Sequence, residues 1–173
     1  ENYFSRAAIP EAEKKHRLVG GKNMLEVYWK EAEGQFGKVV AFEKRLGGKQ
    51  IGLIGKMDRV EIIEGRKVRV VDYKTGNAKS LGEVEGTTAN SEGQLKRQMV
   101  FYKILAEADK TFPYEVVETV LDFVESPYRD KKWIKRTVVP TEKDVSEVKT
   151  LIEETKKNIK EKKFERTTDR KIC

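Results

Sequence analysis

At 173 residues, with 38% hydrophobic and 38% charged residues, the chain carries enough apolar sequence for one folded core and too much for a solvated, disordered polymer. Its 36 Lys and Arg outnumber 29 Asp and Glu, for a formal charge of +7, which favours a polyanionic partner without naming one. No stretch nears the ~18 apolar residues of a membrane helix, no charged-then-apolar signal opens the chain, and Cys173 as the single cysteine excludes an internal disulfide framework, so a cytoplasmic protein with no membrane association is expected.

Glu1 to Ser5 resemble a protease-tag scar and are set aside. Residues 6–173 are expected to form a single domain excised from a longer protein. From Pro10 to Glu33, Leu18, Leu25, Tyr28 and Trp29 recur at helical spacing, predicting an amphipathic helix, interrupted or entered near Gly20-Gly21, that packs on the rest. Val39 to Leu46 and Ile51 to Ile63 are rich in β-branched residues and separated by Gly47-Gly48, the pattern of a hairpin. A turn at Glu64-Gly65 leads into Val68 to Lys74, which makes three antiparallel strands. Residues 76–93 are glycine-rich and polar without apolar periodicity, and read as a long loop. Ser91 and Gln94 form a capping-box pattern ahead of Leu95, Met99, Tyr102, Ile104 and Leu105, which carry a helix to about Asp109. Val116 to Val124 and Trp133 to Val139 are two further strands around Ser126-Pro127. Thr141 opens a last helix with Val145, Val148, Ile152 and Ile159 on its buried side. This order predicts an α/β fold with a central mixed β-sheet flanked by helices.

Side chains alternate along a strand, so Asp72 and Lys74 project together while Arg69, Val71 and Tyr73 face the other way. Asp58 lies on the neighbouring strand. Direct opposition to Asp72 needs an odd-length loop such as Glu64-Gly65-Arg66, because a two-residue loop sets Asp58 across from Val71. In the first register two carboxylates converge beside an ammonium, and like charges resist joint ionisation unless a cation neutralises them. Oxygen ligands of this kind suit Mg²⁺ or Mn²⁺, which can hold a phosphate and activate a water. The plainer alternative pairs Asp58 and Asp72 with Arg59 and Lys74 as surface salt bridges, and the spacing alone does not separate the two.

The surroundings add a resemblance. Gly55-Lys56-Met57-Asp58-Arg59-Val60, Val70-Val71-Asp72-Tyr73-Lys74-Thr75-Gly76 and Gln98-Met99-Val100-Phe101-Tyr102 resemble, in order, the G-x-x-D-R-V, V-D-Y-K-T-G and Q-x-x-x-Y motifs of RecB-like nucleases of the PD-(D/E)xK superfamily. The match is close from about Val39 to Leu105. It implies a restriction-endonuclease-like core and a metal-dependent deoxyribonuclease with Asp58 and Asp72 as metal ligands, the backbone carbonyl of Tyr73 as a further ligand, and Lys74 as the catalytic lysine. Glu43 matches the acidic residue of the family's first core strand, where it touches metal through water. Gln94, Gln98 and Tyr102 form one helical row of the kind the family uses near DNA. Relatives are often the C-terminal nuclease domain of UvrD/Rep-type or RecB/AddB-type helicases. The implied partners are therefore single-stranded DNA and a covalently linked helicase domain, and the implied role is an exonuclease in repair or recombination.

Two departures qualify the match. The family's first-helix histidine, in a G-x-x-x-H context, is replaced by Met24 or Leu25 after Gly20-Gly21, and the only histidine, His16, reads as a surface residue. Phe164 to Cys173 resembles the lead-in to an iron–sulfur cluster, yet one cysteine cannot supply the four thiolates, so no iron–sulfur centre is expected. A catalytically inactive DNA-binding module on the same fold, or an interaction domain for a helicase partner, are the alternative readings.

Overall fold

The computed structural model describes residues 8–48, 52–89, 91–125 and 133–163. The presumed tag residues, the Ser126-Pro127 turn and the segment from Phe164 to Cys173 lie outside the described residues. The elements in order are α1 (Glu11–Ala32), β1 (Lys38–Gly48), β2 (Leu53–Glu64), β3 (Lys67–Lys74), α2 (Leu81–Glu85), α3 (Gln94–Ala108), β4 (Glu115–Phe123), β5 (Ile134–Val138) and α4 (Glu142–Lys160). The strands form one sheet in the order β1-β2-β3-β4-β5. Neighbours run antiparallel except β3 and β4, which are parallel. A parallel pair needs a crossover, and α2 with α3 supplies it. The expected mixed sheet flanked by helices is therefore present. No helix among the described residues is long and apolar enough to cross a membrane.

One face of the sheet carries the main core. Val60, Val68, Val70, Leu121 and Phe123 pack there against Met99, Tyr102 and Leu105 of α3, and each such buried side chain stabilises by roughly 1.5–3 kcal/mol. Gly55, the glycine of the first motif, lies against this helix. A Cβ at Gly55 would sit 2.4 Å from Leu105 Cδ1, and Leu105 is itself buried, so only glycine allows β2 and α3 to approach this closely. A second cluster of Val100, Ile104, Val145 and Val148 fastens α4 onto α3. The expected burial of α4 holds for Val145 and Val148, whereas Ile159 is 57% exposed.

Thr141 caps α4 in a reciprocal box with Asp144, satisfying donors that the first helical turn leaves open. Asp144 also meets Lys96 of α3 at 2.8 Å, and Lys96 reaches Glu85 of α2 at 2.8 Å, so one ammonium ties three helices. Burial pushes the Asp144 carboxyl up, but bonds from Lys96 and from the Thr141 side chain and backbone outweigh it and bring the pKa down to about 2. A carboxylate with a depressed folded pKa contributes stability above its unfolded value, and that contribution disappears as pH falls through the folded one. Acid unfolding of wild type should therefore include a stability loss between about pH 4 and pH 2 that Asp144→Asn lacks, read by denaturant titration at each pH.

Three local expectations are corrected. First, α1 runs unbroken through Gly20-Gly21, and its Leu18, Leu25 and Trp29 are exposed. The sheet's other face is polar beneath α1, so the helix turns Tyr28 rather than its apolar stripe inward: the Tyr28 hydroxyl donates to Asp122 Oδ2 at 2.9 Å. Second, the 76–93 segment is interrupted by the short helix α2, opened by a Ser80–Glu83 capping box. Third, Ser91 does not cap α3. Gly93, with φ +71°, is its N-cap without a side-chain bond, and the Ser91 hydroxyl instead donates to the Glu83 carbonyl.

The β2–β3 hairpin sets the phase of the site. Glu64 pairs with Lys67 across a two-residue Gly65-Arg66 turn, but the register shifts between Ile62 and Glu64. One extra residue, Ile63, is accommodated as a bulge. From there Ile62 faces Val68, Val60 faces Val70 and Arg59 faces Val71, and one further step along this register places Asp58 opposite Asp72. The odd count is thus reached by a short turn plus a bulge, not by a three-residue loop.

Candidate active site

The three strand residues singled out from the sequence do come together. Asp72 is buried on the α3 face of β3. Its Oδ1 accepts the Tyr102 hydroxyl at 2.5 Å and the Gln98 amide at 3.0 Å. Its Oδ2 lies 2.7 Å from Lys74 Nζ, yet this buried oxygen accepts no aligned hydrogen bond, so the contact is an ion pair only. Lys74 Nζ donates to Gln98 Oε1 at 2.8 Å. Burial, and then the bond to Asp72, raise the Tyr102 hydroxyl's pKa, which keeps it a donor to the carboxylate.

Asp58 is half-buried and its Oδ2 accepts the Tyr73 backbone N–H at 2.9 Å. That bond takes the place of a ladder bond, and the β2–β3 pairing ends at Arg59. Within an antiparallel pair the N–H and C=O of one residue face the same neighbour, so the Tyr73 carbonyl is directed to the Asp58 side as well. Pairing of β1 with β2 also lapses at this level, between Phe42–Arg59 and Lys44–Met57. Gly55 has its Cβ direction toward α3 and Val60 enters the core beneath α3. Odd and even positions of β2 thus change sides across Asp58, a local irregularity that aims its side chain.

Glu43 and Gln94 are placed elsewhere. Glu43 has φ +48°, uncommon for a residue with a Cβ, and its exposed carboxylate pairs with Lys56 instead of joining Asp58 and Asp72. Gln94 is exposed at the first position of α3 and reaches Glu92 at 3.5 Å. Gln98 and Tyr102, one and two turns on, are the members of that row that meet Asp72. His16 is exposed on α1. Among the described residues no group of three or more His, Cys, Asp or Glu could together hold a metal.

Two carboxylates are nevertheless a fitting donor set for a small hard cation, which keeps several waters and takes only one or two protein carboxylates beside substrate phosphate. Asp72 Oδ2, buried without a hydrogen bond, has the electron pairs such an ion would accept, and among the described residues nothing donates to Asp58 Oδ1. Of the salt-bridge alternative, the Asp72–Lys74 pair is present at 2.7 Å, but not at the surface, since Asp72 is 3% exposed, and Arg59 pairs with Glu61 on the opposite face instead of with Asp58.

Behind the site lies a cluster that the sequence reading missed. Arg59, Glu61 and Asp122 are all buried on the opposite face of the sheet. Arg59 Nε lies 3.0 Å from Glu61 Oε1 and its Nη2 3.9 Å from Asp122 Oδ2. Its Nη1 donates to the Tyr73 hydroxyl, and Phe36 and Tyr73 cover the guanidinium with their ring faces. Trp133 and Tyr28 donate to the two oxygens of Asp122. Burial raises the Asp122 carboxyl's pKa, with the Trp133 and Tyr28 bonds opposing the rise. Arg59 follows Asp58 and Tyr73 follows Asp72, so this network clamps from behind the two strands that present the acids in front. Alternating charges at Arg59 and Glu61 in an otherwise β-branched strand were the available signal.

A comparison with curated proteins returns no match. The family model of the PD-(D/E)XK nuclease superfamily matches residues 3–173, and nucleases of that superfamily generally use divalent metals such as Mg²⁺. With the mixed sheet, its flanking helices and a match over nearly the whole sequence, the chain belongs to the PD-(D/E)XK nuclease superfamily.

Proposed function

We propose that the chain is a divalent-metal-dependent deoxyribonuclease that hydrolyses single-stranded DNA, as an exonuclease in repair or recombination, with a linked helicase domain delivering the strand. The observation that carries this reading is the buried Asp72 carboxylate, held through Oδ1 by Tyr102 and Gln98 and set through Oδ2 against the Lys74 ammonium at 2.7 Å without an aligned hydrogen bond. Asp58 and Asp72, with the Tyr73 carbonyl, would hold Mg²⁺ or Mn²⁺, which supplies charge neutralisation on the phosphate and an acidified water.

The remaining steps belong to the chain's own groups. In hydrolysis a water oxygen forms a bond to phosphorus as the water gives up a proton to solvent, the phosphorus–oxygen ester bond breaks, and the departing alkoxide takes a proton back from solvent. Lys74 presents its ammonium where negative charge grows on the phosphate. Gln98 fixes that ammonium from the side, and Tyr102 fixes Asp72, so neither reacting group has to reorganise during the step. The aromatic and ionic network around Arg59 holds the strands beneath them.

The test is release of nucleotides from end-labelled single-stranded DNA by the purified chain. Release should require Mg²⁺ or Mn²⁺ and stop on chelation. Salt-sensitive DNA binding without turnover in any divalent metal would instead support the inactive DNA-binding module, a reading favoured by one observation: among the described residues only two acids converge, with no histidine beside them.

A further inference from the structure

The α3–α4 groove differs in chemistry from the other clefts around α4. Its volume is about 410 Å³, within the range of small-ligand clefts. Leu53, Phe101, Leu151 and Ile152 make its floor and walls, Arg97 and Lys156 stand on its rim, and among the described residues no carboxylate lines it. A second cleft between α3 and α4, about 290 Å³, shares Arg97, Val148 and Leu151 with it but sets Glu85, Glu92, Asp144 and Glu147 around Lys96, and a third cleft, along α4, carries Glu142, Glu153 and Glu154. Lys156 does pair with Glu153 at 3.0 Å, but an exposed pair of this kind is weak and leaves the ammonium at the groove.

The groove also adjoins the candidate centre. Gln98 lines it and is the residue that takes Lys74 Nζ and donates to Asp72. Leu151 is 45% exposed and Ile159, farther along, 57%, so apolar surface stays open beside a polar site. Exposed apolar surface next to a functional centre marks a binding surface.

We propose that this groove receives the unpaired bases of a single DNA strand, with Phe101 and the aliphatic residues stacking on them and Arg97 and Lys156 meeting the flanking phosphates. The choice of DNA as occupant rests on the nuclease reading above. A duplex hides its base faces and gains nothing from an apolar floor; a single strand offers them, and stacking on such platforms accepts any base. The groove thereby selects strand state, not sequence.

The experiment measures binding of the full chain, without divalent metal, to a fluorescent oligonucleotide and to an abasic strand of the same length and charge. The base-bearing strand should bind at least about fivefold more tightly, and Leu151→Asp and Ile159→Asp should each reduce that preference. Val19→Asp, the same charge change on exposed α1, should leave it intact. Equal binding of the two strands would overturn the inference, as would groove variants that keep the preference, an outcome pointing to a protein segment as occupant. A chain that prefers bases but cuts no DNA when Mg²⁺ or Mn²⁺ is added keeps the groove and loses the catalysis. A chain that cuts without preferring bases does the reverse.

Discussion

Asp72→Asn is expected to abolish DNA hydrolysis in both Mg²⁺ and Mn²⁺ while the chain stays folded. The substitution keeps the volume of a buried side chain and leaves an amide oxygen to accept from Tyr102 and Gln98, so the core under α3 should hold. What it removes is the charge on the oxygen beside Lys74, and with it both the proposed ligand and the ion pair that fixes the lysine. Lys74→Ala should cost about a hundred- to a thousandfold in turnover, the usual consequence of losing one group aimed at developing charge. A single-turnover assay on labelled single-stranded DNA, paired with thermal melting of each variant, separates lost chemistry from lost structure. Turnover that persists in both variants would mean that the centre lies elsewhere.

Arg59→Met should give the largest loss of stability of any single change on the sheet's far side. The guanidinium is the cation closest to two buried carboxylates, Glu61 at 3.0 Å and Asp122 at 3.9 Å, and methionine fills much of its space without its charge. Removing one partner from a buried ionic group typically costs about 3–5 kcal/mol, of which Arg69, 3.7 Å from Glu61 Oε2, recovers only a part. Lys135, whose ammonium sits over the Trp133 indole face, also holds the Asp122 pKa down and offsets part of the loss. The loss should be smaller at pH 5 than at pH 8. Asp122 already has a raised folded pKa, so protonation relieves the unpaired charge as pH falls toward that value. Urea titration at the two pH values measures both effects. A loss below 1 kcal/mol at pH 8 would show that water reaches the cluster.

The front of the sheet was far more legible than the back. Asp72 and Lys74 share a face because strand alternation demands it, and the β-branched composition of β2 and β3 made both strands visible. Whether Asp58 joined them depended on one residue of register, which composition cannot fix; the Ile63 bulge decides it. Gln98 and Tyr102 followed from their likeness to the Q-x-x-x-Y motif, with helical spacing setting both on one face, while Gln94, on the same row, begins the helix at the surface. Glu43 was legible only by likeness to a family position, and its left-handed backbone and its partner Lys56 depend on a lapse in the ladder that sequence does not encode locally. The Arg59–Glu61–Asp122 cluster joins residues from two strands 61 or more positions apart, beyond any local pattern. Leu18, Leu25 and Trp29 misled for a related reason: periodicity tells which residues share a side of a helix, not whether the neighbouring surface is greasy or polar.

The bulge at Ile63 gives the hairpin tip an influence out of keeping with its place. Tips are ordinarily where a chain tolerates gain or loss of a residue, since little is packed there. Here the count of residues around Gly65 is a phase that the whole ribbon carries back to its far end. Omitting Ile63, itself exposed, would keep every buried apolar side chain yet rotate Asp58 out of step with Asp72, so an edit at the surface would reach the centre without touching it.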